Sequence, residues 1–202
     1  MGAAGLLRGG WRWVRAAPAV PGYQPGATLS RVLREIEPDA PGVLADDGVS
    51  ASLNTRFGAD AALLRERVER HFLMHIVNVE LVLRLASAQP ARGVIRLHHE
   101  GTFRRGALAF RLTGAHDDHC AVLAQRVCDD PAVRDALLVL DQRRVEIVGQ
   151  GGAWELRIEP FGGCDVVNRM PAMRRAIRLG DVQAQALRQA AAARGAAIKA
   201  AA

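Results

Sequence analysis

From residue 74 the chain changes to a strict period of two. Val77, Val79, Leu81, Leu83 and Leu85 fall on one side, and Asn78, Glu80 and Arg84 on the other. Successive side chains of a strand point to opposite faces, so this alternation is the strongest strand signal in the sequence. Gln89-Pro90-Ala91-Arg92-Gly93 breaks it. Ile95 and Leu97 then alternate with Arg96 and His98, and beyond Arg104-Arg105-Gly106, Leu108, Phe110 and Leu112 alternate with Ala109 and Arg111. Three strands joined by short connections predict an antiparallel meander.

The flanking segments add helices and more strands. Leu29, Val32, Leu33 and Ile36 repeat at helical spacing behind Thr28 or Ser30 as N-cap, and Pro38 and Pro41 end that helix. Asp46-Asp47-Gly48 marks a turn before a short alternating strand through Val49, Ala51 and Leu53. Leu64, Val68 and Phe72 lie four apart beneath a charged face, which predicts a second helix capped by Asp60. Asp117 or Asp118 starts a helix that Asp130-Pro131 restarts. Val145 to Ile158 reads as a hairpin about Gly149–Gly152, residues 160–171 as an irregular loop, and a last helix begins near Asp181. The expected fold is α+β: an antiparallel sheet of about five to six strands with helices packed on one face, in the order α-β-α-β-β-β-α-β-β-α. Residues 1–26 read as a basic arm, 27–190 as one domain, and 191–202 as an alanine-rich, frayed tail.

Charge is unevenly distributed. Residues 1–15 carry +3, residues 169–202 carry +6, and the body between them carries −3, for a net +6. A body of opposite sign to its ends is unlike a uniformly basic nucleic-acid binder. Three cysteines, Cys120, Cys128 and Cys164, make no disulfide framework and indicate a reducing, cytoplasmic setting. No run approaches the roughly 18 apolar residues of a membrane span.

Phe72-Leu73-Met74-His75-Ile76-Val77, Phe161-Gly162-Gly163-Cys164-Asp165-Val166-Val167-Asn168-Arg169-Met170-Pro171 and Arg174-Arg175-Ala176-Ile177-Arg178-Leu179 are the most distinctive stretches. In these the chain resembles an uncharacterised proteobacterial family, a domain of unknown function, over most of residues 28–190. The resemblance implies a bacterial, cytoplasmic protein and no mechanism, and it directs attention to the loop at 161–171. In element order alone, residues 60–194 are also similar to type III secretion chaperones, an analogy that carries no function.

The candidate chemistry is sparse. His116-Asp117-Asp118-His119-Cys120 concentrates metal-ligand types, but the aspartates stand where a helix N-terminus wants them, so no metal or cofactor is expected. His98-His99-Glu100 ends a strand, where neighbours face opposite sides. Cys164-Asp165 sets a thiol beside a carboxylate without a nearby histidine. Asp165, Asn168 and Arg169, held between glycines and Pro171, are the ligand-binding candidates, and Arg12, Arg15, Arg174, Arg175 and Arg178 form the basic-patch candidate. The expected function is non-catalytic binding of a small ligand or a protein segment, on the outer sheet face or beside residues 161–171, with homodimerisation left open. Two alternatives stand beside it: an electrostatic adaptor to nucleic acid or an anionic membrane surface through the basic ends, and an enzyme using residues 161–171 or 116–120.

Overall fold

A computed structural model describes residues 22–39, 41–55, 57–87, 91–99 and 108–201. In chain order the elements are α1 (Ala27–Ile36), β1 (Val43–Leu44), β2 (Ser50–Ser52), β3 (Ala61–Arg70), β4 (Met74–Ala86), β5 (Gly93–His99), β6 (Leu108–Thr113), α2 (Asp118–Asp129), α3 (Pro131–Val139), β7 (Gln142–Gln150), β8 (Ala153–Pro160), β9 (Cys164–Arg169), β10 (Ala172–Ile177) and α4 (Asp181–Ala201). The alternating segment is β4, and it is the axis of one antiparallel sheet ordered β1-β2-β3-β4-β8-β7-β5-β6. On one side β4 pairs with β3 from Ala61↔Arg84 to Arg70↔His75. On the other it pairs first with β9, over Met74–Val77, and then with β8, over Leu81–Ala86. β10 pairs with β9 alone.

The fold expectation needs correction. Among the described residues the sheet has ten strands, not about five to six, and four helices, and the order is α-β-β-β-β-β-β-α-α-β-β-β-β-α. The segment read as a second helix is β3. A spacing of four between Leu64 and Val68 is an even number, so it suits a strand face as well as a helix stripe, and ten residues of pairing to β4 decide the matter. The loop at 161–171 resolves into a short kink followed by β9, which continues beyond it into β10. With β3 a strand, the order shared with secretion chaperones is lost.

The helices cover one face. α1 lies against β2, β3 and β4, α2 against β5 and β6, and α4 against β4 and β8, while α3 packs on α4 and α2. Leu64, Leu81, Leu83, Ile95, Ile147, Leu156 and Trp154 from the sheet join Leu29, Leu123, Leu137 and Leu187 from the helices in a single buried cluster. Asp117 accepts the Cys120 amide at 2.8 Å, and Asp130 accepts those of Ala132 and Val133, so both expected caps are made. α1 is capped differently. Gly26 occupies the N-cap, and the buried Glu66 of β3 accepts from the Gly26 and Leu29 amides at 3.1 and 2.8 Å and from the Tyr23 hydroxyl at 2.7 Å. No helix among the described residues is long and apolar enough to cross a membrane.

The expected frayed tail is helical: α4 runs to Ala201, with Ala190, Ala191, Arg194 and Ile198 buried. Small side chains let this helix approach its neighbours closely. At Gly195 a Cβ would stand 2.4 Å from the Phe57 carbonyl oxygen. Arg194 is 0% exposed, and Nε, Nη1 and Nη2 have no hydrogen-bond partner among the described residues. Burial pushes its pKa down to about 9, against a smaller opposing influence of Cys128.

Two predictions follow from α4. Gly195→Ala, which in an open helix gains about 1 kcal/mol, is expected to lose about 1–3 kcal/mol here through overpacking, read from the urea midpoint. Arg194→Met is expected to stabilise by about 1–4 kcal/mol, because it removes an uncompensated buried charge. Since the folded pKa lies below the unfolded one, that gain is full below about pH 9 and shrinks as pH rises from there toward the ordinary guanidinium range.

Candidate anion-binding groove

β8 and β9 run in the same direction along β4 but are offset by a kink at residues 161–163. Gly162 lies against the backbone of the chain leaving β10, where a Cβ would stand 2.8 Å from the Arg178 carbonyl oxygen. Gly163, at φ +80°, donates its amide to Ile177 O at 2.8 Å. The kink therefore swings β9 and β10 out beneath α1. The two elements bound an open depression of about 560 Å³, lined by Ala27, Arg31, Arg34 and Glu35 of α1 and by Asp165, Arg174, Ala176 and Arg178.

Asp165 is the centre of this groove. It faces the helices from β9 and is only 2% exposed. Its carboxylate accepts from Thr28 Oγ1 at 2.9 Å, Arg31 Nη2 at 2.8 Å and Arg174 Nε at 2.9 Å, with Arg174 Nη2 also on the same oxygen as Nε. Burial alone would raise its pKa. Hydrogen bonds from Arg174 and Thr28, with the charge of Arg31, outweigh that and hold it below the ordinary 3.8. Arg31 also holds Glu35 at 3.2 Å, and Arg174 Nη1 donates to Gln24. These two guanidiniums are fixed by their partners. Arg34 and Arg178 are exposed and have no ion-pair partner among the described residues. Four arginines face two carboxylates here, an excess of two positive charges.

The opposite face of the sheet is crossed by its own charge lattice. Glu80 takes Arg65 at 2.6 Å and Arg144 at 3.2 Å, and Glu159 takes Arg67 at 2.6 Å and Arg144 at 3.0 Å. Glu69 takes Arg67 and Arg143, each at 2.6 Å, and Glu146 takes Arg96 at 2.9 Å. Among the described residues no helix packs on this face, yet Asn78, Glu80 and Glu159 are buried among these strands and their arginines. Most of these arginines are held in ion pairs, but a second depression on this face, lined by Arg96, Arg111, Arg143, Arg144 and Glu146, is net positive as the groove is.

The residues singled out in the sequence are dispersed. Asp165 enters the groove. Asn168 stands on the other face of β9, and Arg169 lies at the end of the strand, exposed. Arg174 and Arg178 line the groove, and Arg175 faces the other way on β10. Arg12 and Arg15 lie outside the described residues. In sequence Arg31 and Arg34 look like the solvent face of α1; only the placement of β10 beside that helix turns them into groove residues.

The remaining clusters are also separated. Cys164 and Asp165 are adjacent in a strand and point to opposite faces, so they cannot act as a pair. The Cys164 thiol donates to Phe161 O at 3.5 Å, and burial, helped by Asp165, pushes its pKa up. Burial likewise raises the Cys120 thiol to about 11. Exposed His116 turns its Nδ1 to Gly114 O, and His119 sits tilted against Trp154 with ring centroids 6.2 Å apart. Among the described residues no three His, Cys, Asp or Glu side chains form a metal-holding group.

Asp165→Asn leaves two guanidiniums without their counter-charge and is expected to lose about 2–4 kcal/mol. A carboxylate whose folded pKa is depressed contributes stability above its unfolded value, and that contribution is lost as pH falls through the folded one. The wild-type urea midpoint should therefore drop as pH falls below 3.8, and the variant's should drop less over the same window.

No curated protein and no solved structure matches the chain. The sequence model described as "Protein of unknown function (DUF3156)" matches residues 40–198, a span that contains the sheet, the kink and the β9–β10 hairpin. The chain belongs to the DUF3156 family of proteins of unknown function.

Proposed function

We propose that this protein is a bacterial, cytoplasmic, non-catalytic binding domain whose groove between α1 and β9–β10 takes a small ligand bearing several anionic oxygens, such as a phosphorylated or polycarboxylate compound. The observation that carries this reading is the pair of exposed arginines, Arg34 and Arg178, which have no ion-pair partner among the described residues, in a groove where Asp165 already fixes two more. Arg31 and Arg174 supply a preorganised positive field, and Arg34 and Arg178 supply free planar forks that suit carboxylate and phosphate. Three free, buried cysteines support a reducing compartment. The buried, high-pKa thiol of Cys164, facing away from Asp165, favours binding over nucleophilic catalysis.

The test is calorimetric titration with inorganic pyrophosphate and with citrate at low salt. The chain is expected to bind at least one of them, with affinity falling as salt rises. Arg34→Ala/Arg178→Ala should weaken binding about tenfold or more with the unfolding midpoint unchanged, since both side chains are exposed. Failure of the wild type to bind either probe, or equal binding by the variant, would sink the reading.

A further inference from the structure

The β3–β4 and β9–β10 hairpins end side by side at one end of the sheet. The Arg169 amide donates to Leu73 O at 2.9 Å, and Met74 registers with Asn168. The two turns and the strand beside them present Phe72 at 89% exposure, Met170 at 80%, Leu73 at 55% and Met173 at 51%. Four large apolar side chains held out together, on adjoining hairpins, are more than the scattered exposed apolar residue normal on a soluble surface.

The rim of this tip is basic. Arg70 and Arg169 stand at the ends of β3 and β9 and Arg175 on the outer face of β10, and His75, whose pKa burial lowers, is lowered further by Arg169, Arg70 and Arg174. Arg169 and Arg175 have no ion-pair partner among the described residues. The nearest carboxylates are already engaged, Glu69 by Arg67 and Arg143 and Asp165 by Arg31 and Arg174. Residues 1–21 carry three arginines, two tryptophans and no acid, and they join the body at Gly22, where a Cβ would stand 3.3 Å from Val167 of β9.

We infer that this hairpin tip docks the protein onto an anionic lipid bilayer. Phe72, Leu73, Met170 and Met173 enter the boundary between headgroups and acyl chains, and Arg169 and Arg175 meet the lipid phosphates. Charge complementarity selects this occupant. A second copy placed on the patch by a two-fold axis would bring two basic rims together with no free acid between them. A bilayer accepts a small projecting apolar tip and supplies the negative charge, the combination by which surface-bound proteins gain affinity from apolar burial plus electrostatic attraction.

The experiment is co-sedimentation of the full chain with vesicles of phosphatidylcholine alone and of phosphatidylcholine mixed with phosphatidylglycerol. Binding is expected to the mixed vesicles only, weakening as salt rises. Phe72→Ser/Met170→Ser should reduce it about tenfold or more with an unchanged urea midpoint, because both side chains lie in solvent. Arg169→Glu should weaken it as well, and Arg34→Ala/Arg178→Ala should bind vesicles as the wild type does, which separates this inference from the groove. No sedimentation of the wild type with the mixed vesicles would overturn it. So would equal binding by the tip variant, which would assign the lipid contact to residues 1–21, or a dimer that the tip variant converts to monomer.

Discussion

The structure depends on β4 pairing, along one edge, with two successive strands rather than one. β8 takes its C-terminal half and β9 its N-terminal half, with residues 161–163 absorbing the offset between them. A ladder this long on the β3 side keeps β4 in a single register, since a slip by one residue would turn Leu81, Leu83 and Leu85 out of the core. The kink can then change the course of its partner without unsettling the axis. From that one deviation come the position of β10 beside α1, the groove between them, and the second hairpin tip beside the first.

Buried carboxylates on the helix face convert this geometry into a fixed arrangement. Glu66 caps α1 from β3, Asp165 holds its middle through Thr28 and Arg31, and Glu35 on α1 accepts the Leu179 amide beyond β10. Glu37, at the other end, accepts the Asn54 and Thr55 amides. A short helix of ten residues has little intrinsic stability, so these links, with its buried apolar stripe, set where it lies. The outer face solves a related problem differently. Glu80 and Glu159 are buried with no overlying helix among the described residues, and the arginines that neutralise them also cover them with their aliphatic stems. Charges there are spent on one another. In the groove and at the hairpin tip they are in excess, and an external anion has something to gain there.

β10 shows how the exposed edge is managed. It pairs with β9 only and carries Arg174 and Arg175 in mid-strand, which discourages edge-to-edge association. The same two residues, pointing to opposite faces, serve the groove on one side and the basic rim on the other.

Local sequence determined β4, β5 and β6 as strands, the stripe of α1 and the aspartate caps of α2 and α3, because each is written in a period or a capping residue that short-range physics reads directly; the expected meander is not formed, since β8 and β7 stand between β4 and β5. It also marked residues 161–171 as distinctive without revealing their form, since glycines, a proline and isolated valines carry no period. Tertiary structure alone decided that Leu64 and Val68 belong to a strand, because a spacing of four fits both periods and only pairing to β4 separates them. It alone put Arg31 and Arg34 across from Arg174 and Arg178, residues more than a hundred positions apart whose meeting rests on sheet register. And it alone joined Phe72 to Met170, since the exposure of a turn residue is settled by what the rest of the chain leaves uncovered.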